Sequence, residues 1–221
     1  MSSSVQRKRI RKSPAERSAE IVAAAAKVAL SEGLECVTLR RVAEDLDVRP
    51  GLISHYFPSA EDLVAEAFGS AASAELDALL PAEHPDGTPT QRLAEFFAYT
   101  TGPAYDDMSR LWINARHLSR YRSVLRDRVA RQEAAWRGRL TGLLRDGVER
   151  GEFRTPDPEL TAIQILVVLD GLGVHANTDT GGHPEAVTRM AVTTAERELA
   201  LEHGVLTRLA EQDAGPAAPP A

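Results

Sequence analysis

The chain is short of several things at once, and each shortage removes a class of protein. It has a single cysteine, Cys36, in 221 residues, which rules out an intramolecular disulfide framework and any cysteine-only metal cage. Cys36 sits in GLECVTL between two expected helices. There a small, weakly polar side chain is expected to be a buried structural thiol, with a redox sensor as the other reading. No stretch approaches the roughly 18 uninterrupted apolar residues of a membrane span, and the alanine run at 23–26 ends at Lys27. The N-terminus, MSSSVQRKRIRK, is basic, but no apolar signal core follows it, so a cytoplasmic location is expected.

Recognisable catalytic machinery is missing too. The six histidines show neither His-x-x-x-His nor Glu-adjacent metal spacing, and there is no Gly-x-Ser-x-Gly elbow or phosphate-cradling glycine loop. Ser54 and His55 are adjacent. On a helix their side chains diverge by about 100° and cannot act together as nucleophile and base. An enzyme is not expected, and no cofactor or metal is implied.

What is present begins with uneven charge. The formal net charge is −6, but residues 1–60 carry ten Lys/Arg against seven Asp/Glu, and the remainder sixteen against twenty-five. Arg7, Lys8, Arg9, Arg11 and Lys12 all precede the first acid, Glu16. A basic arm on an acidic body points the arm at phosphates and holds the body away from them. The alternative is a merely solubilising tail.

Helical periodicity runs through the chain, and no alternating pattern argues for a strand, so the fold class is all-α. A first helix is expected over 14–33, entered through Pro14 and stopped by Gly33, with Ile21, Ala24, Ala25, Val28 and Ala29 on one face. Thr38 is a good N-cap for a short helix LRRVAEDL; Asp47-Val48-Arg49 is a turn, and residues 50–56 form a third helix entered through Pro50. Phe57-Pro58 breaks the chain, and Ser59 caps a fourth helix running to about Leu80. After the linker at 81–90, helices are expected at about 90–100, 104–120 and 122–150. The segment 160–176 is nearly apolar all round, which implies cover on more than one side. A last helix is expected from Pro184 to about Gly204. The domain layout is thus a basic flexible arm (1–13), a helix-turn-helix unit (14–58), a larger helical domain (59–204) and a disordered tail (205–221).

Two short helices joined by a tight turn, with a first helix across them, place the second short helix where it can enter a major groove. Leu39, Val42, Leu46, Val48 and Ile53 supply the inward face. Arg40, Arg49, Pro50, Gly51, Ser54, His55 and Tyr56, with Thr38 at the helix entry and the arm residues, are left to face DNA. Pro50 and Gly51 keep the leading end slim enough to approach phosphate.

TLRRVAEDLDVRPGLISHYFPSAEDL (38–63) resembles the DNA-binding segment of TetR-family transcriptional regulators, from Thr38 through Ala43, Leu46, Val48, Gly51 and Tyr56-Phe57 to Leu63. It departs at Ala60, where many members carry a phosphate-touching lysine, and at Ser54-His55, so base preference does not carry over. The C-terminal half is similar to the choline-responsive betaine-pathway repressor branch in LWINARHLSRY, Trp136, Gly151-Glu152-Phe153 and LVVLDGLGVHA. The resemblance implies a homodimer on a palindromic operator of double-stranded DNA, most often a repressor, released by a small-molecule effector held in the helical domain. It also implies a dimer interface through 158–176 and 184–203. The rival is an architectural DNA-binding dimer with no effector.

An effector pocket in such a domain would draw on the middle helices, where Phe96, Tyr99, Tyr105, Trp112, His117 and Trp136 gather. These rings have two readings, core packing or an aromatic wall completed by Asn114, by Asp106 or Asp107, and by Asp170. A cationic effector would suit aromatic faces with a carboxylate. Asp170 interrupts an apolar helix and needs a partner: a residue across the dimer interface, a ligand, or solvent at a kink beside Gly171 and Gly173.

Overall fold

A computed structural model describes residues 12–83, 87–100, 105–178 and 183–213. The described residues form eleven α-helices and a single 3-10 turn, with no strand. Ser13 and Glu16 close a capping box at the start of α1 (Pro14–Glu32), whose Ile21, Ala24, Ala25, Val28 and Ala29 are buried as the periodicity implies. The 3-10 turn Leu34–Cys36 leads to α2 (Leu39–Asp45), where the Thr38 hydroxyl accepts from the Arg41 amide; such a cap is worth about 1 kcal/mol. Asp47 turns the chain with φ 50°, a left-handed conformation that Asp tolerates better than most residues. Then comes α3 (Pro50–Tyr56), stacked on α2 through buried Val42 and Ile53.

The long helix α4 (Ala60–Leu79) packs on both α1 and α7, so it links the two halves of the molecule. Around it lie α5 (Pro89–Thr100), α6 (Asp106–Ser119), α7 (Ser123–Glu149) and α8 (Pro158–Thr178). Arg139 to Asp77 at 2.9 Å and Gln132 to Ser73 at 3.1 Å tie α7 to α4. One core runs from Ile21 through Phe68 and Phe96 to Leu206. The turn at Gly151 takes φ 77° and swings Phe153 onto α7. The ring lies so close to Gly147 that a Cβ there would meet it at 2.1 Å.

Three expectations change. The last helix is broken into α9 (Glu185–Thr188) and α10 (Met190–Glu198), and the chain turns at Ala200 with φ 54°. The tail from 205 begins with a further helix, α11 (Val205–Asp213), which packs along α5. Its anchors are Leu206, fully buried, and the buried Glu196 carboxylate, which accepts from the Gly204 and Leu206 amides at 2.9 and 3.1 Å. Cys36 is exposed rather than buried: the turn sends its neighbours Leu34 and Val37 inward and leaves the thiol facing out.

By length and composition α8 could cross a membrane. Here its inner face, Ala162, Ile165 and Leu169, packs on α6, α7 and α10. Its outer face presents Leu160, Ile163, Val167 and Val174 to solvent, with Met190 of α10 also exposed. In a single chain, the apolar segment is covered on one side.

Candidate functional site

The N-terminal unit presents a graded face. Beneath α3, Ile53 and Phe57 are buried, while Arg49, Pro50, Gly51, Ser54 and His55 are exposed and Tyr56 is half-buried. Gly51 has open space around it, so nothing blocks close approach at the leading end of the helix. Arg49 stands at the N-cap without a side-chain bond to the helix, which leaves its guanidinium available to an outside acceptor. His55 and Tyr56 meet edge-to-face, ring centroids 5.2 Å apart, so the two rings fix each other's orientation.

Other expected nucleic-acid residues are more committed. Thr38 caps α2, and Arg40 is exposed but pairs with Glu44 at 2.9 Å. Its neighbour Arg41, not among the expected residues, pairs with Glu32 at 2.6 Å. Lys12 pairs with Glu20; Arg7, Lys8, Arg9 and Arg11 lie outside the described residues.

The second feature is a cavity of about 250 Å³ between α5, α6, α7 and α8. Five of the eight residues expected there line it: Phe96, Tyr105, Trp112, Trp136 and Asp170. Tyr99 does not; it is exposed and packs against Tyr105. His117 is exposed beside Tyr121. Asp106 and Asp107 are exposed in the first turn of α6. Asn114 turns the other way altogether. Its oxygen accepts from the Leu34 amide at 2.8 Å and its amide donates to Glu35 at 2.7 Å, gripping the turn between α1 and α2.

Of the ionic residues of the cavity, Asp170 was expected but Arg116, Glu133 and Arg137 were not. Arg116 makes a two-pronged pair with Asp170 of α8, at 2.9 and 3.0 Å, and bonds Glu133 of α7 at 2.9 Å. Its guanidinium lies 5.0 Å from the centroid of the Trp112 ring. Asp170 therefore has a partner within its own chain, none of the three expected. Burial still pushes its carboxyl up, while Arg116 pulls it down. Thr100, Arg137, Ile163, Leu166 and Val167 complete the wall.

Behind the wall lies Glu75 of α4, a buried acid that the sequence pattern hides in an alanine-rich helix. It accepts the Trp112 indole N–H at 2.9 Å. Burial raises its pKa to about 7, with Trp112 and Tyr105 drawing it part-way back. Burial, and then the neighbouring Glu75, push the Tyr105 phenol upward, so it stays protonated. Among the described residues, the second Glu75 oxygen and the Trp136 indole N–H have no hydrogen-bond partner.

Comparison with known proteins covers both halves of the chain. Residues 21–67 match the model for bacterial regulatory proteins of the tetR family, and residues 89–200 match that for the C-terminal part of BetI-type transcriptional repressors. No curated protein matches the chain in sequence. A TetR-family transcriptional regulator from Rhodococcus sp. is similar in fold, with a TM-score of 0.69 at 23% identity over 84% of this chain and 99% of that one. A transcriptional regulator from Pseudomonas aeruginosa PAO1 has a TM-score of 0.67 at 23% identity, over 90% and 96%. One from Saccharomonospora viridis, solved in complex with choline, has a TM-score of 0.69 at 20% identity, over 84% and 98%. With a helix-turn-helix at one end and the BetI-type model spanning just over half its length, the chain belongs to the TetR family of transcriptional regulators.

Proposed function

We propose that the chain is an effector-responsive repressor that acts in the cytoplasm and binds a palindromic operator as a homodimer. The observation that carries this reading is the exposed, uncommitted face of α3, Arg49 through Tyr56, joined by α4 to a domain with its own cavity. The working division is a basic arm to residue 13, a DNA-binding unit at 14–58 and an effector and dimerisation unit from 59. Arg49, Pro50, Gly51, Ser54, His55 and Tyr56 read or touch DNA, and Thr38 and Arg40 flank them. Arg7, Lys8, Arg9, Arg11 and Lys12 add phosphate contacts. Two copies associate through α8 and α10, whose outer apolar side chains a single chain leaves uncovered.

The effector is a small organic molecule, and aromatic faces beside Asp170 and Glu133 favour a cation. It would compete with Arg116 for those carboxylates, and an acceptor atom on it would satisfy the Trp136 N–H. Choline, bound by the Saccharomonospora viridis relative, is the first compound to try. Trp112 and Arg116 in the cavity and Asn114 at the DNA-binding unit share α6. A shift of that helix would change the spacing of the two recognition helices, which must reach successive major grooves.

Gel-shift titration with duplex DNA flanking the gene tests the reading. Replacing Arg49 or Tyr56 with Ala should weaken binding about tenfold or more while leaving the oligomeric state unchanged. Undiminished shifts by both variants would remove the assignment. An architectural dimer without effector is the alternative; a thermal-shift screen of choline, polyamines and lipophilic cations that moves nothing would favour it.

A further inference from the structure

Three walls of the cavity are braced to one another, and the fourth is not. Arg116 of α6 pairs with Glu133 of α7 and with Asp170 of α8. The fourth wall is the second half of α5, where Phe96 and Thr100 line the cavity. That stretch, FFAYT (96–100), has no charged side chain with which to join the network. The helix is pinned at its start instead. Glu152 accepts from the Thr90 amide and hydroxyl at 3.0 and 2.6 Å, and Arg92 lies 3.7 Å from Asp146. On its other side lies α11, with which α5 packs more extensively than with α4 or α7. The hold on α11 is concentrated where that helix begins. Both oxygens of the Glu196 carboxylate accept amides there, Gly204 at 2.9 Å and Leu206 at 3.1 Å. Arg189 adds a bond to the Thr207 hydroxyl at 2.9 Å. Leu206 is fully buried, Leu209 and Ala210 are half-buried, and Arg208, Glu211 and Gln212 are exposed.

We infer that α11 is a strap across the back of α5, and that the cavity opens when α11 lifts and the second half of α5 swings out about its pinned first turn. This rests on the cavity being the effector site, as proposed above, and adds the route by which an effector enters and leaves. A helix of nine residues is too short to persist alone in water. Undocking and unfolding of α11 are therefore one local event, separate from the opening of the bundle core. Its bonds to Glu196 and Arg189 and its one fully buried side chain are what that event must break. With α11 gone, α5 keeps its first-turn bonds to the end of α7 and the Gly151 turn, and its inner packing on α4 and α7. Phe96 and Thr100 lie at the far end from that pin, so a small rotation there moves them most. The strap α11 lies beyond residues 89–200, the stretch matched by the BetI-type model.

The chain carries its own reporters, because its two tryptophans, Trp112 and Trp136, both line the cavity. Acrylamide quenching of their fluorescence and hydrogen exchange at residues 93–100 are measured on the full chain, without a ligand. Leu206→Ala empties the buried anchor of the strap. Thr207→Val removes only the hydroxyl that Arg189 holds, and serves as the milder variant if the first also loosens α10. Neither residue lines the cavity; circular dichroism checks the fold and sedimentation velocity the oligomeric state. Leu206→Ala should speed exchange at 93–100 by about tenfold or more and raise the quenching constant by roughly twofold. Thr207→Val should shift both readings the same way by less, and exchange along α6 and α7 should stay at the wild-type rate. Unchanged exchange at 93–100 in both variants would overturn the strap. Faster exchange with unchanged quenching would overturn the opening of the cavity, and equal acceleration throughout the bundle would make α11 part of one cooperative core. Whether the cavity takes an effector at all is decided separately, by the thermal-shift screen.

Discussion

Glu75 shows at the scale of one residue how the fold spends stability on its interior. Its pKa of about 7 lies above the ordinary carboxylate value because burial disfavours the charged form. The folded state thus holds the proton more tightly than the unfolded chain does. This group's contribution is fully present below about 4.5 and is lost as pH rises through about 7. Glu75→Gln cannot ionise, yet keeps an acceptor for the Trp112 N–H. Its stability relative to wild type should increase between pH 5 and pH 8, by up to ~1 kcal/mol per pH unit. Thermal unfolding of both proteins across that range checks it, and a difference constant with pH would contradict the assignment. Such residues explain the limits of the sequence reading. Trp112 and Arg116 are four apart on α6 and reach the cavity together, whereas Asn114 and His117 lie on other faces. Residue type drew attention to Asn114 and His117, but nothing in the sequence says which way α6 is rotated in the bundle. Nothing in the sequence sets Arg116 apart from the chain's other arginines.

At the scale of elements, α6 is the piece that touches both sites. Leu34 sits in the turn that feeds α2, and its amide is held by the Asn114 side chain rather than by its own helix. Asn114→Ala should therefore leave the fold intact while speeding amide exchange at Leu34, a loss of about 1–3 kcal/mol of local protection for a buried, orphaned donor. Hydrogen exchange read at residues 33–38 measures it; unchanged protection would mean that the turn holds itself. Elements α1 to α8 were legible because their apolar spacing, caps and breakers agree. Ser13, Thr38 and Ser59 each cap the helix they precede. The end of the chain was not legible. The break after Thr188 has no Gly or Pro to mark it, and α11 is nine residues long with one fully buried anchor, Leu206. Its docking on α5 is a tertiary effect that local pattern does not encode.

At the scale of the whole molecule, charge and apolarity are sorted by task. The basic excess lies in the first 60 residues and the acidic excess beyond them, so binding to DNA should fall steeply with added salt. The helix most apolar by composition, α8, is covered on its inner side by its own bundle and leaves Leu160, Ile163, Val167 and Val174 exposed. Its all-round apolarity was readable in the sequence; the structure covers one side, and the proposed dimer would cover the other. That its exposed Ile163 and Val167 also line the cavity was not, because that depends on how α6, α7 and α8 meet. In the proposed dimer two α3 helices would be related by a two-fold axis, and this symmetry should reappear in the DNA they prefer.

Selection of binding sites from random duplex DNA by the purified wild-type protein, with Tyr56→Ala as the control, tests the central claim most directly. The account predicts an enriched inverted repeat whose half-sites lie about one helical turn apart, ~10 base pairs, and its loss or weakening in the control. No enriched sequence, or a repeat-free site selected equally well by Tyr56→Ala, would contradict it.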